Sequence, residues 1–156
     1  MMLILLDIDG VMVSAKSWSA PPALDDGFYR FNPKSVDALN NILFKCKADI
    51  LLTTSHKYRF SLEEWINIFN RRGINIKKID RLARNYNHKD RKEEIINWFS
   101  ISENVDDFVI IDDDKSLNNL PLYLKSRLVL TKPMIGLNVT HVQDCINILR
   151  TPLKLI

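Results

Sequence analysis

The sequence predicts an α/β domain built on a mostly parallel, five-stranded sheet with helices on both faces. Short apolar runs, typical of strands buried on both faces, alternate with segments whose apolar residues recur at helical spacing. Strands that alternate with helices favour a parallel sheet joined by right-handed crossovers. The 156 residues are enough for one well-covered core, so we expect a single domain over 1–156.

The first predicted strand is Met2–Leu6, an apolar run that leads into Asp7 and Asp9. Residues 10–32 follow without sustained periodicity, and their prolines and glycines favour a flap or short hairpin beside these acids. We expect aromatic side chains to anchor this flap on the rest of the domain: Trp18, Phe28, Tyr29 and Phe31.

Asn32 and Pro33 predict the start of a helix, because Asn is a favourable N-cap and Pro fits the first helical position. The apolar face of this helix continues to Cys46. A second apolar run, 50–52, predicts a strand that ends at Thr53.

Two capping patterns predict the next helices. Ser61 with Glu64 forms a capping box, and Asp90 with Glu93 has the same spacing. Between these helices, the isoleucines of 74–79 indicate a third, less regular strand.

The remaining elements follow the same alternation. A fourth strand is predicted over 108–111, and it enters three consecutive aspartates, 112–114. A fifth strand is predicted over 127–130. Thr140 with Gln143 then predicts the start of the last helix.

Two predicted strands therefore end in acids, at Asp7 with Asp9 and at 112–114, far apart in the chain. A buried carboxylate needs a cation or hydrogen bonds, and open α/β folds bind ligands at the carboxyl ends of their strands. One such end alone fits a solvated turn equally well. Two of them predict a single metal site assembled by folding.

The composition disfavours several classes of protein. No window reaches the ~18 apolar residues that a membrane helix needs, and the apolar run up to Leu6 is too short for a signal peptide. Cys46 and Cys145 are expected to be buried thiols, and no Cys/His cluster has the spacing of a zinc site. We therefore expect a cytoplasmic protein with no membrane partner.

The net charge of +3 is modest but unevenly distributed, because nine basic residues fall within 71–92. Such a run is usually a solvated face. It also borders the predicted site, so a polyanionic partner is the alternative.

Four segments occur in the order of the haloacid dehalogenase (HAD) motifs. Taken as motifs I to IV, they are Asp7-Ile-Asp-Gly-Val11, Leu51-Leu-Thr-Thr54, Arg91-Lys92 at a helix start, and Ile110-Ile-Asp-Asp113. The chain resembles the HAD superfamily in these motifs, and the resemblance covers essentially its whole length. It implies a HAD-like Rossmannoid three-layer sandwich. It also implies a Mg²⁺-dependent phosphatase that works through an aspartyl-phosphate.

A narrower resemblance is to the HAD domains associated with Swiss Army Knife RNA repair proteins. It is carried by Arg91-Lys-Glu-Glu-Ile-Ile-Asn-Trp98, by the acidic triplet, and by Leu130-Thr-Lys-Pro-Met-Ile-Gly-Leu137. The two points where HAD proteins insert cap domains have no room for one here. An uncapped site suits a bulky substrate, such as a phosphorylated RNA or DNA end, or a protein.

The resemblance also implies roles for the motif residues. Asp7 would be the nucleophile and Asp9 the general acid and base. Thr53 would hydrogen-bond a phosphoryl oxygen, and Lys92 would neutralise negative charge. Mg²⁺ would be held by Asp7, by the backbone carbonyl of Asp9, and by Asp113 with Asp112 beside it.

Several alternatives remain open at this stage. Arg91 and Lys89 compete with Lys92 for the basic role, because helical register is not fixed to one residue by sequence. Asp114 fits a turn or cap, and His56 is a weaker candidate for contact with substrate. A phosphatase of a protein or small metabolite, and a catalytically idle phosphate-binding module, are the alternative functions.

Overall fold

The computed structural model describes residues 2–15, 22–103, 105 and 107–153. Five strands form one sheet, and all of their pairings are parallel. The strands are β1 (Met2–Leu6), β2 (Asp49–Leu52), β3 (Ile79–Arg81), β4 (Asp107–Asp112) and β5 (Leu128–Leu130). The predicted α/β class and the five-stranded parallel sheet are confirmed.

The helices lie between the strands and after the last one. They are α1 (Pro33–Cys46), α2 (Leu62–Arg71), α3 (Arg91–Ile101), α4 (Leu122–Lys125) and α5 (Val139–Leu149), with a 3₁₀ helix at Lys115–Asn119. The 3₁₀ helix and α4 lie between β4 and β5 and were not predicted.

The strand order is β3-β2-β1-β4-β5, with β1 in the centre. The chain moves outward from β1 to β3 and then returns to the other side of β1 as β4. The boundary between β1 and β4 is therefore the topological switch point, where open α/β sheets form a crevice at the carboxyl ends of their strands. The acidic ends of β1 and β4 meet at this crevice.

Each face of the sheet carries its own apolar core. On one face, Ile4 and Leu6 of β1 pack in a cluster with residues of α1, α2 and α5. On the other face, Leu5 packs in a cluster with Ile95 of α3 and with Leu124 of α4. The alternation along β1 explains why its apolar run is continuous, since both faces are covered.

Most of the predicted helix starts are confirmed. Asn32 caps α1 by accepting from Lys34 N, Ser61 and Glu64 form the capping box of α2, and Asp90 caps α3.

The start predicted for the last helix is wrong. Asn138, rather than Thr140, is the N-cap of α5, and it accepts from the backbone N–H of Thr140. His141 Nδ1 accepts from the backbone N–H of Asn138, so this histidine is part of the cap rather than a free surface residue.

The predicted flap is only partly described, because residues 16–21, including Trp18, lie outside the described residues. Within the described part, Ala23 and Tyr29 form an antiparallel bridge, and the Phe28 ring is fully buried. Phe28 makes edge contacts with Phe31 and Trp65, which attaches this segment to α2 as expected. Helices long and apolar enough to cross a membrane are absent from the described part of the chain.

Candidate active site

The candidate site lies where β1, β2 and β4 end at the same level of the sheet. Leu6 is paired with Leu52 of β2 and with Ile111 of β4. The next residue along each strand is Asp7, Thr53 and Asp112, respectively. The ladder continues one step beyond β1, because Asp7 N donates to the Ile111 carbonyl at 3.1 Å.

Three carboxylates converge at this edge. One oxygen each from Asp7, Asp112 and Asp113 lies within 4.8 Å of the other two. Asp7 is only 5% exposed and Asp112 is fully buried. Folding thus brings the acids of two distant segments into one cluster.

The cluster makes ionisation of Asp7 unfavourable. Burial, together with the charge of Asp112, raises the pKa of Asp7 from its ordinary value of 3.8 to about 8. Burial also raises the pKa of Asp113. The single guanidinium of Arg91 lowers the pKa of Asp7 but does not balance these effects. Three adjacent carboxyl groups share one cation, so full ionisation of the cluster would leave an excess of negative charge.

The three aspartates of the triplet have different surroundings. Asp112 accepts from Arg91 Nη1 at 2.6 Å through one oxygen, and from the N–H groups of Asp113 and Asp114 through the other. Asp114 accepts from Ser116 N and caps the 3₁₀ helix, as its predicted cap role requires. Asp113 also belongs to the cluster with Asp7, and it is less buried than Asp112.

Gly10 gives Asp113 the space that it occupies. A Cβ atom on Gly10 would lie 2.1 Å from Asp113 Oδ2, and the backbone there has φ +78°. The Gly10 carbonyl accepts a hydrogen bond from Thr131 Oγ1 at 2.7 Å. The motif I glycine thus permits a close approach between the segments that follow β1 and β4.

Among the three candidates for the basic role, Arg91 reaches the cluster. Its Nη1 lies 2.6 Å from Asp112 Oδ2 and 3.5 Å from Asp7 Oδ1. Lys92 is half-buried on the next position of α3, and neither Lys92 nor Lys89 forms an ion pair with a described residue. The role of each stays a prediction, but the contacts favour Arg91.

Thr53 carries a polar group without a partner. Its side chain is fully buried, and its Oγ1 has no hydrogen bond to any described residue. An unsatisfied buried hydroxyl costs free energy and calls for an explanation, such as a ligand oxygen. The Thr53 amide is already used, because it donates to the Leu6 carbonyl at 3.0 Å.

Asp9 lies at the exposed rim of the site and is held by His56. His56 Nε2 is 2.8 Å from Asp9 Oδ2, and the two side chains are 21% and 51% exposed, respectively. The ring of His56 makes edge contacts with Phe28 and Tyr29. The flap aromatics therefore fix the histidine that contacts Asp9.

Two buried charged residues near the site were not predicted from the sequence. Lys57 Nζ lies 3.0 Å from Glu94 Oε2, and both side chains are largely buried. Glu94 Oε1 in turn lies 3.9 Å from Arg91 Nε. The one signal for this pair was that Lys57 lies in the turn after β2, which does not identify a partner 37 residues away.

The donor set fits a hard divalent cation. Carboxylate oxygens are the ligands that Mg²⁺ prefers, and one or two carboxylates plus substrate oxygens usually suffice. Asp7 and Asp113 offer such oxygens, and the excess negative charge described above is what a cation would offset. No Cys or His belongs to the cluster among the described residues, which disfavours a softer metal.

The basic segment 71–92 is not one uniform face. Arg72 is buried and donates to both carboxylate oxygens of Asp26. Arg81 donates to the carbonyls of Lys57 and Phe60. These two arginines stabilise the fold, whereas Lys77 and Lys78 are exposed.

The comparisons with known proteins identify one family. The family model described as the HAD domain in Swiss Army Knife RNA repair proteins matches residues 3–142. Neither the curated proteins nor the solved structures gave a match.

Proposed function

The chain belongs to the family of HAD domains in Swiss Army Knife RNA repair proteins, and from this premise we propose that it is a Mg²⁺-dependent phosphatase. The observation that carries the proposal is the convergence of the Asp7, Asp112 and Asp113 carboxylates at the switch point of the sheet. A phosphoester is itself anionic, so this carboxylate cluster must bind a cation before it can bind a phosphoester.

In this proposal Asp7 is the nucleophile and Asp9 transfers the protons of hydrolysis. The Asp7 carboxylate attacks phosphorus, the bond from phosphorus to the leaving oxygen breaks, and Asp9 donates a proton to that oxygen. Asp9 then takes a proton from water, whose oxygen attacks phosphorus and releases the Asp7 carboxylate with inorganic phosphate. Mg²⁺, when bound by Asp7 and Asp113, supplies positive charge to the phosphoryl oxygens.

Thr53 and Arg91 complete the phosphate site in this proposal. The unpaired Thr53 hydroxyl donates to a phosphoryl oxygen, which removes the cost of its burial. Arg91, next to Asp7, stabilises the charge that develops on the transferring group. Asp112 accepts hydrogen bonds from Arg91 and from the backbone amides of Asp113 and Asp114, so its main role is to orient these groups.

The substrate that we propose is a phosphorylated nucleic acid end. The family description places these domains in RNA repair proteins. Between β1 and α1, the described residues add neither a helix nor a strand that could cover the site. A bulky end can therefore approach Asp9, whose side chain is half exposed.

Phosphate release from an aryl phosphate tests the chemistry without assuming the natural substrate. Turnover is expected with MgCl₂ and is expected to stop with EDTA. Asp7→Asn keeps the shape and removes the nucleophile, so it should lower kcat by roughly a thousandfold or more. Asp114→Asn is the matched control, since Asp114 caps the 3₁₀ helix. Wild-type turnover in Asp7→Asn would overturn the proposal.

A further inference from the structure

A groove beside the candidate active site is not used by the chemistry proposed above. It lies between the segment 82–87, which follows β3, and one side of α3. Its cavity volume is about 200 Å³, which is smaller than a typical pocket for a drug-sized ligand and suits one small planar group.

The groove begins at the same edge of the sheet as the site. Arg81, the last residue of β3, is paired with Leu52, so Leu82 leaves the sheet at the level of Thr53. Because neighbouring strands lie ~4.8 Å apart, this point is about 10 Å from β1. Arg91, at the start of the other wall, contacts Asp7, and Glu94 of the groove contacts Arg91.

The surface of the groove combines apolar and cationic groups. Tyr86 is 80% exposed, and Trp98 and Ile101 line the opposite wall. Arg84 and Lys89 are its cationic residues, and neither forms an ion pair with a described residue. Glu94 is the one acid among the described lining residues, and its charge is balanced by Lys57 at 3.0 Å.

Contacts within the protein fix the segment 82–87, which forms one wall of the groove. Asn85 accepts from Lys89 N at 2.8 Å and donates to the Lys89 carbonyl at 2.5 Å. The Arg84 guanidinium lies 4.2 Å from the centre of the Tyr58 ring. The loop that carries Tyr86 is thus closed by its own hydrogen bonds, so contact with a ligand should cost little conformational entropy.

We propose that this groove binds the nucleoside next to the scissile phosphate of a single-stranded nucleic acid end. The base stacks on Tyr86, and Arg84 and Lys89 attract the following backbone phosphate. Single-strand binding generally combines an aromatic platform with a cationic groove in this way. A small sugar phosphate would leave the apolar walls unused. This inference rests on the proposed function, because it places the scissile phosphate at Asp7.

Direct binding tests the groove independently of catalysis. Fluorescence anisotropy in the Asp7→Asn background, which is expected not to turn the substrate over and which carries one carboxylate fewer in the cluster, would compare oligoribonucleotides and oligodeoxyribonucleotides of one sequence, phosphorylated at the 3′ or 5′ end. Tyr86→Ala should weaken binding by about 5- to 150-fold, because stacking contributes about 1–3 kcal/mol per base. Phe44→Ala is the matched control, since Phe44 is 84% exposed on α1. Unchanged affinity in Tyr86→Ala would overturn the proposal.

Kinetics separates failure of the groove from failure of the phosphatase. Tyr86→Ala should raise the KM for oligonucleotides and leave aryl phosphate turnover unchanged. The double variant Arg84→Ala/Lys89→Ala should also flatten the salt dependence of oligonucleotide binding, because fewer counterions are released. An inactive wild type with Tyr86-dependent binding would refute the phosphatase alone. If Tyr86→Ala instead impaired only a phosphopeptide substrate, a protein partner would replace the nucleic acid.

Discussion

His56 Nε2 lies 2.8 Å from Asp9 Oδ2, although 47 residues separate the two in the chain. The contact joins the turn after β2 to the turn after β1. It places the carboxylate of Asp9 beside the ring of a residue that is itself packed on Phe28 and Tyr29. In the proposed mechanism, Asp9 must direct its carboxyl group toward the leaving oxygen, and the contact with His56 fixes that orientation.

We predict that His56→Ala lowers kcat by about 10- to 100-fold with a smaller effect on KM. A hydrogen bond to a charged group contributes about 1.5–3 kcal/mol, which corresponds to this range. The loss should be greater for an alkyl phosphate, whose leaving oxygen needs the proton more, than for an activated aryl phosphate. His56→Gln keeps a donor and should recover part of the rate. Equal losses for both substrates would argue against a role through Asp9.

The second prediction concerns the metal ligands of the triplet. Asp113→Ala should weaken Mg²⁺ binding at least about 10-fold in a calorimetric titration, because its carboxylate belongs to the cluster with Asp7 and Asp112. Asp114→Ala should leave the Mg²⁺ affinity nearly unchanged and cost about 1 kcal/mol of stability through the lost cap. A larger loss of affinity at Asp114 would mean that the assignment within motif IV is wrong.

Gly10 offers a steric test of the same cluster. Gly10→Ala should weaken Mg²⁺ binding and turnover, since the new Cβ would lie 2.1 Å from Asp113 Oδ2. Gly27→Ala is the matched control: Gly27 has φ +83°, and its Cβ would meet nothing within 4 Å. Both variants should lose about 1–2 kcal/mol of stability from backbone strain, and Gly10→Ala should lose more because its Cβ also clashes with Asp113. If the two had equal Mg²⁺ affinities, the close approach of Gly10 to Asp113 would be irrelevant to the metal.

The fourth prediction follows from the raised pKa of Asp7. Between its ordinary value of 3.8 and about 8, the folded state binds a proton that the unfolded state releases. The contribution of Asp7 to the free energy of unfolding of the metal-free protein should therefore fall as the pH rises through this range.

Asp7→Asn removes this dependence and should raise the Tm of the metal-free protein by roughly 3 °C or more at pH 8, with a smaller gain at pH 5. MgCl₂ should raise the Tm of the wild type and have little effect on the variant. Thermal melts at several pH values, with EDTA or MgCl₂, measure both effects. A Tm difference between Asp7→Asn and the wild type that did not grow from pH 5 to pH 8 in EDTA would contradict the account of the cluster.

The fold was predictable because its signals are local. Apolar runs identify buried strands, and the side chain of Asn32 caps the helix that begins at Pro33 by accepting from Lys34 N, two residues away in the chain. The one wrong helix start shows the limit of such rules. Asn138 and Thr140 are both good N-caps, and only the path of the chain before α5 decides between them.

The candidate site could be predicted only as far as strand ends determine it. Asp7, Thr53 and Asp112 follow from three apolar runs whose carboxyl ends share one edge of a parallel sheet. The contacts of His56 and Lys57 depend on the geometry of the turn after β2, and no periodic pattern of residues in the sequence indicates that geometry. The groove beside Tyr86 likewise arises from a loop that is closed by Asn85.

The choice between Arg91 and Lys92 is the last prediction. Adjacent residues on a helix differ by about 100° in direction, so only one of the two can face Asp7. The structure places Arg91 Nη1 at 3.5 Å from Asp7 Oδ1 and at 2.6 Å from Asp112 Oδ2. We expect Arg91→Gln to lower kcat by about 10²–10³-fold, the usual cost of removing a group that stabilises transition-state charge.

Removal of Arg91 also leaves the buried Asp112 without its cation, which costs about 3–5 kcal/mol when a buried pair is broken. Arg91→Lys is therefore measured alongside, because it keeps the charge and should fold while retaining an intermediate rate. Lys92→Gln is the matched control and should stay within about threefold of the wild-type rate, a difference of less than 1 kcal/mol. The opposite pattern, with Lys92→Gln inactive and Arg91→Lys fully active, would assign the transition-state contact to Lys92. Arg91 would then act only as the partner that stabilises Asp112.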